Sequence, residues 1–332
     1  MNTHRNYSLD MLRGVSCIFV ILIHYPFPGM WGALIKSICR TAIPFFFMLS
    51  GYYTNKNEKK STRVEIVKRI KKTISICAGA AVFSLFMEYI IFFRKQSFQK
   101  FFENYFDVGK IWRLIIWNDT GNITHLWFLF ALVYCYIFVF VILLFSTPLN
   151  DYRIIDIAAF CLWVILIIFS EILPLCGKNV DSIYYRNALF TGFPFFWVGF
   201  RLKTKTFERI NNIKFVFFSG IGIIIIERLL IGNIENSLGI TILSVFSFIY
   251  AVDNTEWGEC GILVTLGKDY SLLIYILHWY IICVEYKIIN ELQFLNNYWY
   301  LSISPILVIL YSIVAAIVVK NTYLLVKGLF FR

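Results

Sequence analysis

The chain has 332 residues, of which 59% are hydrophobic and 15% are charged, whereas soluble domains carry about 25% charged residues. This composition excludes an ordinary soluble domain and predicts an all-α, polytopic membrane helix bundle, with residues 1–332 forming a single membrane domain and no soluble domain appended. The net charge of +11 does not indicate nucleic-acid binding, because the basic residues concentrate in short segments between apolar runs, where membrane topology explains them. The eight cysteines include no C-x-x-C pair, so neither a disulfide framework nor a metal site is predicted.

Long apolar segments with loop-like breaks between them predict about ten transmembrane helices. The sixth and the eighth are the shortest. In chain order, the predicted segments are 9–27, 32–53, 72–93, 123–146, 154–173, 187–201, 214–231, 237–252, 271–289 and 298–319.

The distribution of lysine and arginine predicts the orientation. With the N-terminus inside the cell, most of the 31 basic residues fall on the cytoplasmic side, and residues 56–72, read as a loop, contribute the most. This is the positive-inside pattern, and it places both termini in the cytoplasm. The segment 94–122 would lie outside although it is basic. It is also rich in aromatic residues, so we expect an amphipathic element in the outer interface there.

The first predicted helix contains two ionisable residues, Arg13 and His24. Eleven residues at about 100° each give three turns plus about 20°, so both side chains leave the same helix face, about 16 Å apart along the axis. A charge at membrane depth costs about 2.5–3.5 kcal/mol on insertion scales, so it normally faces a protein interior or a wet cavity. The pair therefore predicts a functional track, although Arg13 could also be a topology anchor that reaches to the interface.

The second predicted helix contains Arg40, deep in the membrane, and Pro44, which leaves the carbonyl of Arg40 without its helical partner. We expect a kinked helix and a ladder of Arg13, Arg40 and His24 running toward the outer leaflet. The sequence does not show which carboxylate meets Arg40. The acidic residues in or near span ends are Glu88, Glu171, Glu227 and Glu285.

Three further polar residues have two interpretations each. His125 begins a span on the outer side and either lines an acceptor entrance or caps its helix. His278 lies mid-helix among apolar residues and is either a satisfied core histidine or part of the site. Ser50 and Gly51 fit close packing and the end of a helix better than a nucleophile, because no base lies at an obvious spacing.

The first two helices resemble the acyltransferase-3 family of membrane acyltransferases. In the first helix of that family, ten residues separate an arginine from a following histidine. These two residues are Arg13 and His24 here. The second helix is similar to the family's R-x-x-x-P-F-F-F-x-x-SGY stretch. Its counterparts here are Arg40, Pro44, Ser50, Gly51 and Tyr52.

Later segments extend the resemblance over nearly the whole chain. HLWFL (residues 125–129) and YSLLIYILH (residues 270–278) are similar to the family's fourth and ninth helices, and RNALFTGFPFFWVG (residues 186–199) resembles the membrane half of serine racemase-type members. This chain has Ala42 where some members carry a second arginine, which weakens the donor assignment in that region.

The resemblance implies O-acyl transfer, most commonly of acetyl from cytoplasmic acetyl-CoA to a hydroxyl of a cell-surface carbohydrate such as a capsular or exopolysaccharide repeat. On this reading Arg13 and Arg40 bind the acyl-CoA donor, and His24 is the general base or an acyl relay. His125, Ser50, Tyr52 and His278 are acceptor-side or supporting residues. Acetyl-CoA is expected as the donor substrate, with no metal or prosthetic group.

The expected partners are the lipid bilayer, acyl-CoA and a polysaccharide or lipid-linked glycan, in a bacterial cytoplasmic membrane. The sequence does not fix the oligomeric state. A second hypothesis is a transporter of a small solute such as an amino acid, although no inverted repeat is visible. A third, a membrane scaffold, would not need an arginine and a histidine in phase.

Overall fold

The computed structural model describes residues 5–92, 108–145, 152–178, 180–204, 213–232, 235–259 and 261–330, and the regular structure of these ranges is helical. The all-α prediction is therefore confirmed. Within the described residues, seven helices are long and apolar enough to cross a membrane, so the protein is a multi-pass membrane protein. They are Tyr7–His24, Gly29–Thr54, Lys59–Ile90, Ile123–Phe145, Arg153–Leu175, Ile262–Glu291 and Tyr298–Leu325.

The other three predicted segments are also helical, but two of them are short. Ala188–Leu202 and Leu238–Asp253 have 10–17 residues, and a 16-residue helix extends only about 24 Å, less than a hydrocarbon core of about 30 Å. The number of ten crossings therefore remains a prediction. We number the longer helices α1 (Tyr7–His24), α2 (Gly29–Cys39), α3 (Ala42–Thr54), α4 (Lys59–Phe92), α5 (Val108–Trp117), α6 (Trp127–Phe145), α7 (Arg153–Ile167), α8 (Phe193–Leu202), α9 (Ile213–Ile231), α10 (Leu238–Asp253), α11 (Ser271–Glu291) and α12 (Tyr298–Phe330).

The chain forms two compact units. The first comprises Met1–Phe46 and Glu208–Arg332, and the second comprises Phe47–Phe207. In the first unit, α1 packs against α2, α10, α11, α12 and the helical segment Ile262–Tyr270. Its apolar core includes Cys17 and Ile21 of α1, Ile274 and Ile282 of α11, and Val308 of α12.

The N-terminal end of α1 is fixed by polar contacts. Asn6 caps the helix by accepting a hydrogen bond from the backbone N–H of Leu9 at 2.8 Å, and it donates to the carbonyl of Ala251 at 2.9 Å. The hydroxyl of Ser8 donates to the carbonyls of Asn254 and Trp257. The bond between Asn6 and Leu9 supplies a partner for an orphan N–H at the helix start, and the other bonds attach this end of α1 to the C-terminal end of α10 and the residues after it.

One turn further along, α1 crosses the segment Ile262–Tyr270 at two glycines. A Cβ on Gly14 would lie 2.0 Å from the carbonyl oxygen of Leu263, and one on Gly267 would lie 1.9 Å from that of Asp10. Only residues without side chains allow this approach, so the crossing fixes the position of α1 directly beside Arg13.

The second predicted helix is interrupted rather than simply kinked. α2 ends at Cys39, residues 40 and 41 form a turn, and α3 begins at Ala42. Pro44 cannot donate to the carbonyl of Arg40, and the backbone N–H of Ile43 does so instead at 3.3 Å. Arg40 is therefore the C-cap of α2, not a mid-helix residue as predicted.

In the second unit, α3 and α8 make a close backbone crossing. A Cβ on Gly51 would lie 2.0 Å from the carbonyl oxygen of Phe196, and one on Gly199 would lie 1.9 Å from that of Met48. The close packing predicted at Gly51 is confirmed, but the predicted helix end there is wrong, because α3 continues to Thr54.

Contrary to the prediction, the basic segment 56–72 is not a loop. Most of it belongs to the first turns of α4, a helix of 34 residues, where Lys60, Lys68, Lys71 and Lys72 are exposed. Lysine has a favourable helix propensity, so the helix continues beyond its apolar part with a solvated basic face.

A short helix with both apolar and charged residues lies within the segment where an amphipathic element was expected. In α5, Ile111, Trp112 and Ile115 are exposed, and Arg113 forms an ion pair with Asp119 at 2.9 Å. The remainder of that prediction, residues 94–107, lies outside the described residues.

Candidate functional site

Arg13 and His24 lie on one continuous helix. α1 runs unbroken from Tyr7 to His24, so the helical geometry that places both side chains on one face holds, with a rise of about 16 Å between them. His24 is the last residue of the helix, and a short connection, residues 25–28, leads into α2. We call this the His24 end of the first unit.

The imidazole of His24 lies against α11. Its ring centroid is 5.4 Å from that of His278 and 5.7 Å from that of Trp279, the latter in an edge-on arrangement. Tyr275 lies 6.0 Å from His278 in turn. Tyr275, His278 and Trp279 are spaced i, i+3, i+4, so one face of α11 meets the end of α1.

His278 has a defined hydrogen-bonding role. Its side chain is fully buried, and its Nδ1 lies 3.2 Å from the backbone carbonyl oxygen of Ile274. A carbonyl oxygen only accepts hydrogen bonds, so Nδ1 carries the hydrogen, and in a neutral ring Nε2 is then an acceptor. The ring next to His24 is thus fixed in tautomer and orientation by its own helix.

Two more polar contacts lie at the His24 end. The hydroxyl of Tyr25 donates to that of Ser304 at 3.2 Å, and the hydroxyl of Tyr300 donates to the buried carboxylate of Glu285 at 2.8 Å. Glu285 follows His278 by seven residues, which places both on one face of α11. Glu285, considered above as a partner of Arg40, therefore pairs with Tyr300.

Arg13 lies beside the glycine crossing. The residue is half-buried, and its Nε atom is buried without a hydrogen-bond partner among the described residues. Guanidinium N–H groups are strong donors for phosphate and carboxylate oxygens. Arg13 can therefore bind an anion at this depth of α1.

Arg40 is paired with a residue that the sequence did not suggest. It is 5% exposed, and its Nη1 lies 3.8 Å from a carboxylate oxygen of Glu235, in the loop between α9 and α10. Glu227, another candidate, accepts the backbone N–H of Gly239 at 2.9 Å. The remaining candidates, Glu88 and Glu171, belong to the second unit.

Three predicted site residues, Ser50, Tyr52 and His125, belong to the second unit. Ser50 shares a hydrogen bond with the buried Tyr136. The ammonium of Lys203 lies 4.4 Å from the ring centroid of Tyr52, a cation–π contact. His125 is 1% exposed and lies in the short 3-10 helix Gly121–Leu126, directly before α6. Their acceptor-side roles remain predictions.

Sequence reasoning missed Trp279 and Glu235. Trp279 follows His278 directly, and the i, i+3, i+4 spacing of Tyr275, His278 and Trp279 indicates that the three side chains share one helix face. Glu235 carried no such signal, because it lies in a loop and approaches Arg40 only through the packing of α2 against α9.

Within the first unit, the described residues thus bring two imidazoles together at one end of a helix that presents a guanidinium on the same face. A neutral imidazole takes and returns protons near neutral pH. A guanidinium binds anions. This combination suits proton-coupled transfer of a group carried by an anionic donor.

Comparison with known proteins agrees with this chemistry. The model of the acyltransferase-3 family, described as an acyltransferase domain, matches residues 6–320. The amino-acid racemase of Enterococcus faecalis is 23% identical over 316 residues, which are 89% of this chain and 43% of that protein. The serine/alanine racemase of Enterococcus gallinarum is 26% identical over 138 residues, 39% of this chain and 18% of that protein. The chain thus spans less than half the length of either relative. No solved structure matches.

Proposed function

Because the chain belongs to the acyltransferase-3 family, we propose that it transfers an acetyl group from cytoplasmic acetyl-CoA to a hydroxyl of a cell-surface carbohydrate. The observation that supports this most is that the ring centroids of His24 and His278 lie 5.4 Å apart, at the end of the helix that carries Arg13. A scaffold would not need a base and an anion-binding group in phase.

The donor would enter from the Arg5 end of α1, which faces the cytoplasm in the orientation predicted from the basic residues. Arg13 would hold a phosphate or pantetheine oxygen by charge-assisted hydrogen bonds. The flexible pantetheine arm would then extend along α1 and bring the thioester to His24, about 16 Å further along the axis.

His24 would act as the general base. Its neutral imidazole takes the proton from the acceptor hydroxyl while the hydroxyl oxygen attacks the thioester carbonyl carbon. The new C–O bond forms, the C–S bond breaks, and the departing sulfur receives the proton from the imidazolium. General base catalysis of this kind contributes about 10²–10⁴-fold.

His278 would support His24 rather than touch the reacting atoms. With Nδ1–H donated to Ile274, its Nε2 is an acceptor in the neutral ring, and its fixed plane limits the orientations open to the neighbouring imidazole. We therefore assign His278 as a positioning residue.

The acceptor is a capsular or exopolysaccharide repeat or its lipid-linked precursor, and the location is a bacterial cytoplasmic membrane. The direct test incubates the purified protein in lipid with labelled acetyl-CoA and lipid-linked glycans. We expect label on the glycan, and mass spectrometry of surface glycans should show one acetyl group that disappears when the gene is deleted. Acetyl-CoA that remains intact with every acceptor would contradict the proposal.

Amino-acid transport is the second candidate. The names of the two relatives, a serine/alanine racemase and an amino-acid racemase, say only that those proteins act on amino acids. The same protein in sealed vesicles distinguishes the two. A transporter accumulates labelled serine or alanine without consuming a thioester, whereas an acyltransferase consumes acetyl-CoA and accumulates neither amino acid.

A further inference from the structure

A group of charged side chains lies where α2, α9 and α10 pack together in the first unit. Ile38 of α2 packs against a small apolar cluster that includes Ile224 of α9 and Leu243 of α10. Lys36 and Arg40 of α2 lie one turn apart on either side of Ile38. The other charged residues of the group are Glu227 and Arg228 of α9 and Glu235 of the following loop.

Positive charge exceeds negative charge in this group. Arg40 is paired with Glu235, and Lys36 interacts electrostatically with Arg40, Arg228 and Glu235. Glu227 accepts a hydrogen bond from the backbone N–H of Gly239. Within the described part of the chain, neither Lys36 nor Arg228 is in ion-pair contact with a carboxylate.

Such an arrangement is unfavourable for the protein alone. Like charges four residues apart on a helix destabilise it, and cations at membrane depth need a counter-charge. The three cations converge from two helices, and Arg40 is almost fully buried. A bound anion would offset the repulsion and complete the group.

The surroundings indicate what carries that anion. Lys36 and Arg228 are half-buried, and the apolar side chains next to them are exposed: Ile35 by 38%, Leu229 by 58% and Leu230 by 71%. On membrane helices, exposed apolar side chains face lipid chains. The cations thus lie at the boundary between the protein interior and the hydrocarbon, within reach of an amphiphile that approaches from the bilayer.

We infer that Lys36 and Arg228, beside the buried ion pair of Arg40 with Glu235, bind the phosphate of a lipid-linked glycan, whose chain lies against the exposed apolar residues of α2 and α9. The inference rests on the proposed function for the identity of this amphiphile as the acceptor. Lys36 is seven residues after the start of α2, about 10 Å along its axis, and four residues separate the end of α1 from the start of α2. The phosphate site therefore lies in the same half of the unit as His24.

Binding to the purified protein in nanodiscs tests the site without requiring catalysis. The probes are a polyprenyl phosphate, the corresponding polyprenol, phosphatidylglycerol and inorganic phosphate. We expect the polyprenyl phosphate to bind, and Lys36→Gln and Arg228→Gln each to weaken its binding about tenfold, the effect of losing one hydrogen bond to a charged group. The control is Lys287→Gln, because Lys287 lies near the His24 end of α11, is 58% exposed and pairs with Glu291. This variant should bind as the wild type does.

Four results would overturn the inference: equal binding of the polyprenol, equal binding of phosphatidylglycerol, equal binding of inorganic phosphate, or unchanged binding by both variants. Acetyl transfer measured on the same samples separates the two proposals. If acetyl transfer occurs and both variants bind the polyprenyl phosphate as the wild type does, the phosphate site is wrong and the proposed function stands. Binding that depends on Lys36 and Arg228, with no transfer to any glycan, would remove the proposed function and leave the site.

Discussion

The ring of His24 lies 5.4 Å from the ring of His278, whose Nδ1 is held by the carbonyl of Ile274. One imidazole at a helix end is thus supported by a second imidazole whose tautomer is fixed. Under the proposed function, the half-buried ring of His24 would meet the substrate and the buried ring of His278 would maintain its orientation.

Substitution of His278 should lower the rate of transfer without changing donor binding. For His278→Phe we expect kcat to fall about 10–100-fold with an unchanged KM for acetyl-CoA, because the neighbouring base loses its support. His278→Asn keeps a side-chain N–H donor and should recover part of the rate. Thermal unfolding of both variants is the control for folding. A KM for acetyl-CoA that rises in parallel with the fall in kcat would show that His278 contacts the donor instead.

Arg13 should act on the donor. Arg13→Ala removes a charge-assisted hydrogen bond of about 1.5–3 kcal/mol, so the KM for acetyl-CoA should rise about 10–100-fold, and Arg13→Lys should restore part of it. Arg5→Ala is the matched control at the same end of α1. Arg5 pairs with Asp10 at 2.7 Å and is 35% exposed, and surface pairs contribute little to stability. An unchanged KM in Arg13→Ala would leave Arg13 as a topology anchor.

The glycine crossing should be sensitive to volume. Gly14→Val places atoms on the carbonyl of Leu263, and overpacking costs about 1–3 kcal/mol. We expect a lower unfolding temperature and reduced transfer, since α1 carries both Arg13 and His24. Gly222→Ala on α9 is the control, because nothing lies within 4 Å of its added Cβ. Equal stability of Gly14→Val and the wild type would mean that the crossing is not as close as described.

The pair of Arg40 and Glu235 should show coupling. Glu235→Ala leaves Arg40 buried without its carboxylate, at a cost of about 1–3 kcal/mol. In the background of Arg40→Met the same change should cost much less, because no buried charge remains. A double-mutant cycle on unfolding temperatures measures this difference. Strictly additive effects would indicate that the 3.8 Å contact contributes nothing.

The sequence predicts the helical fold well because hydropathy reports burial in lipid directly. The long apolar segments and the continuous helix from Arg13 to His24 both follow from local pattern. The full extent of α4 does not follow from local hydropathy. Where this helix passes from lipid to solvent, the hydropathy of its residues falls, but their helix propensity stays favourable.

The site is only partly predictable, since its partners come from distant parts of the chain. Arg13 and His24 share one helix, so the angle between their side chains around the helix axis can be calculated from their spacing in the sequence. The contact of His24 with His278 and that of Arg40 with Glu235 depend on how α11 and the α9–α10 loop pack. No periodicity in a single sequence fixes either contact.

The most direct measurement compares wild-type protein and His24→Ala in nanodiscs with labelled acetyl-CoA and a lipid-linked glycan. We expect acetylated glycan with the wild type and a loss of at least about 100-fold with His24→Ala, while both proteins unfold at similar temperatures. Near-normal transfer by a folded His24→Ala protein would show that His24 is not the general base.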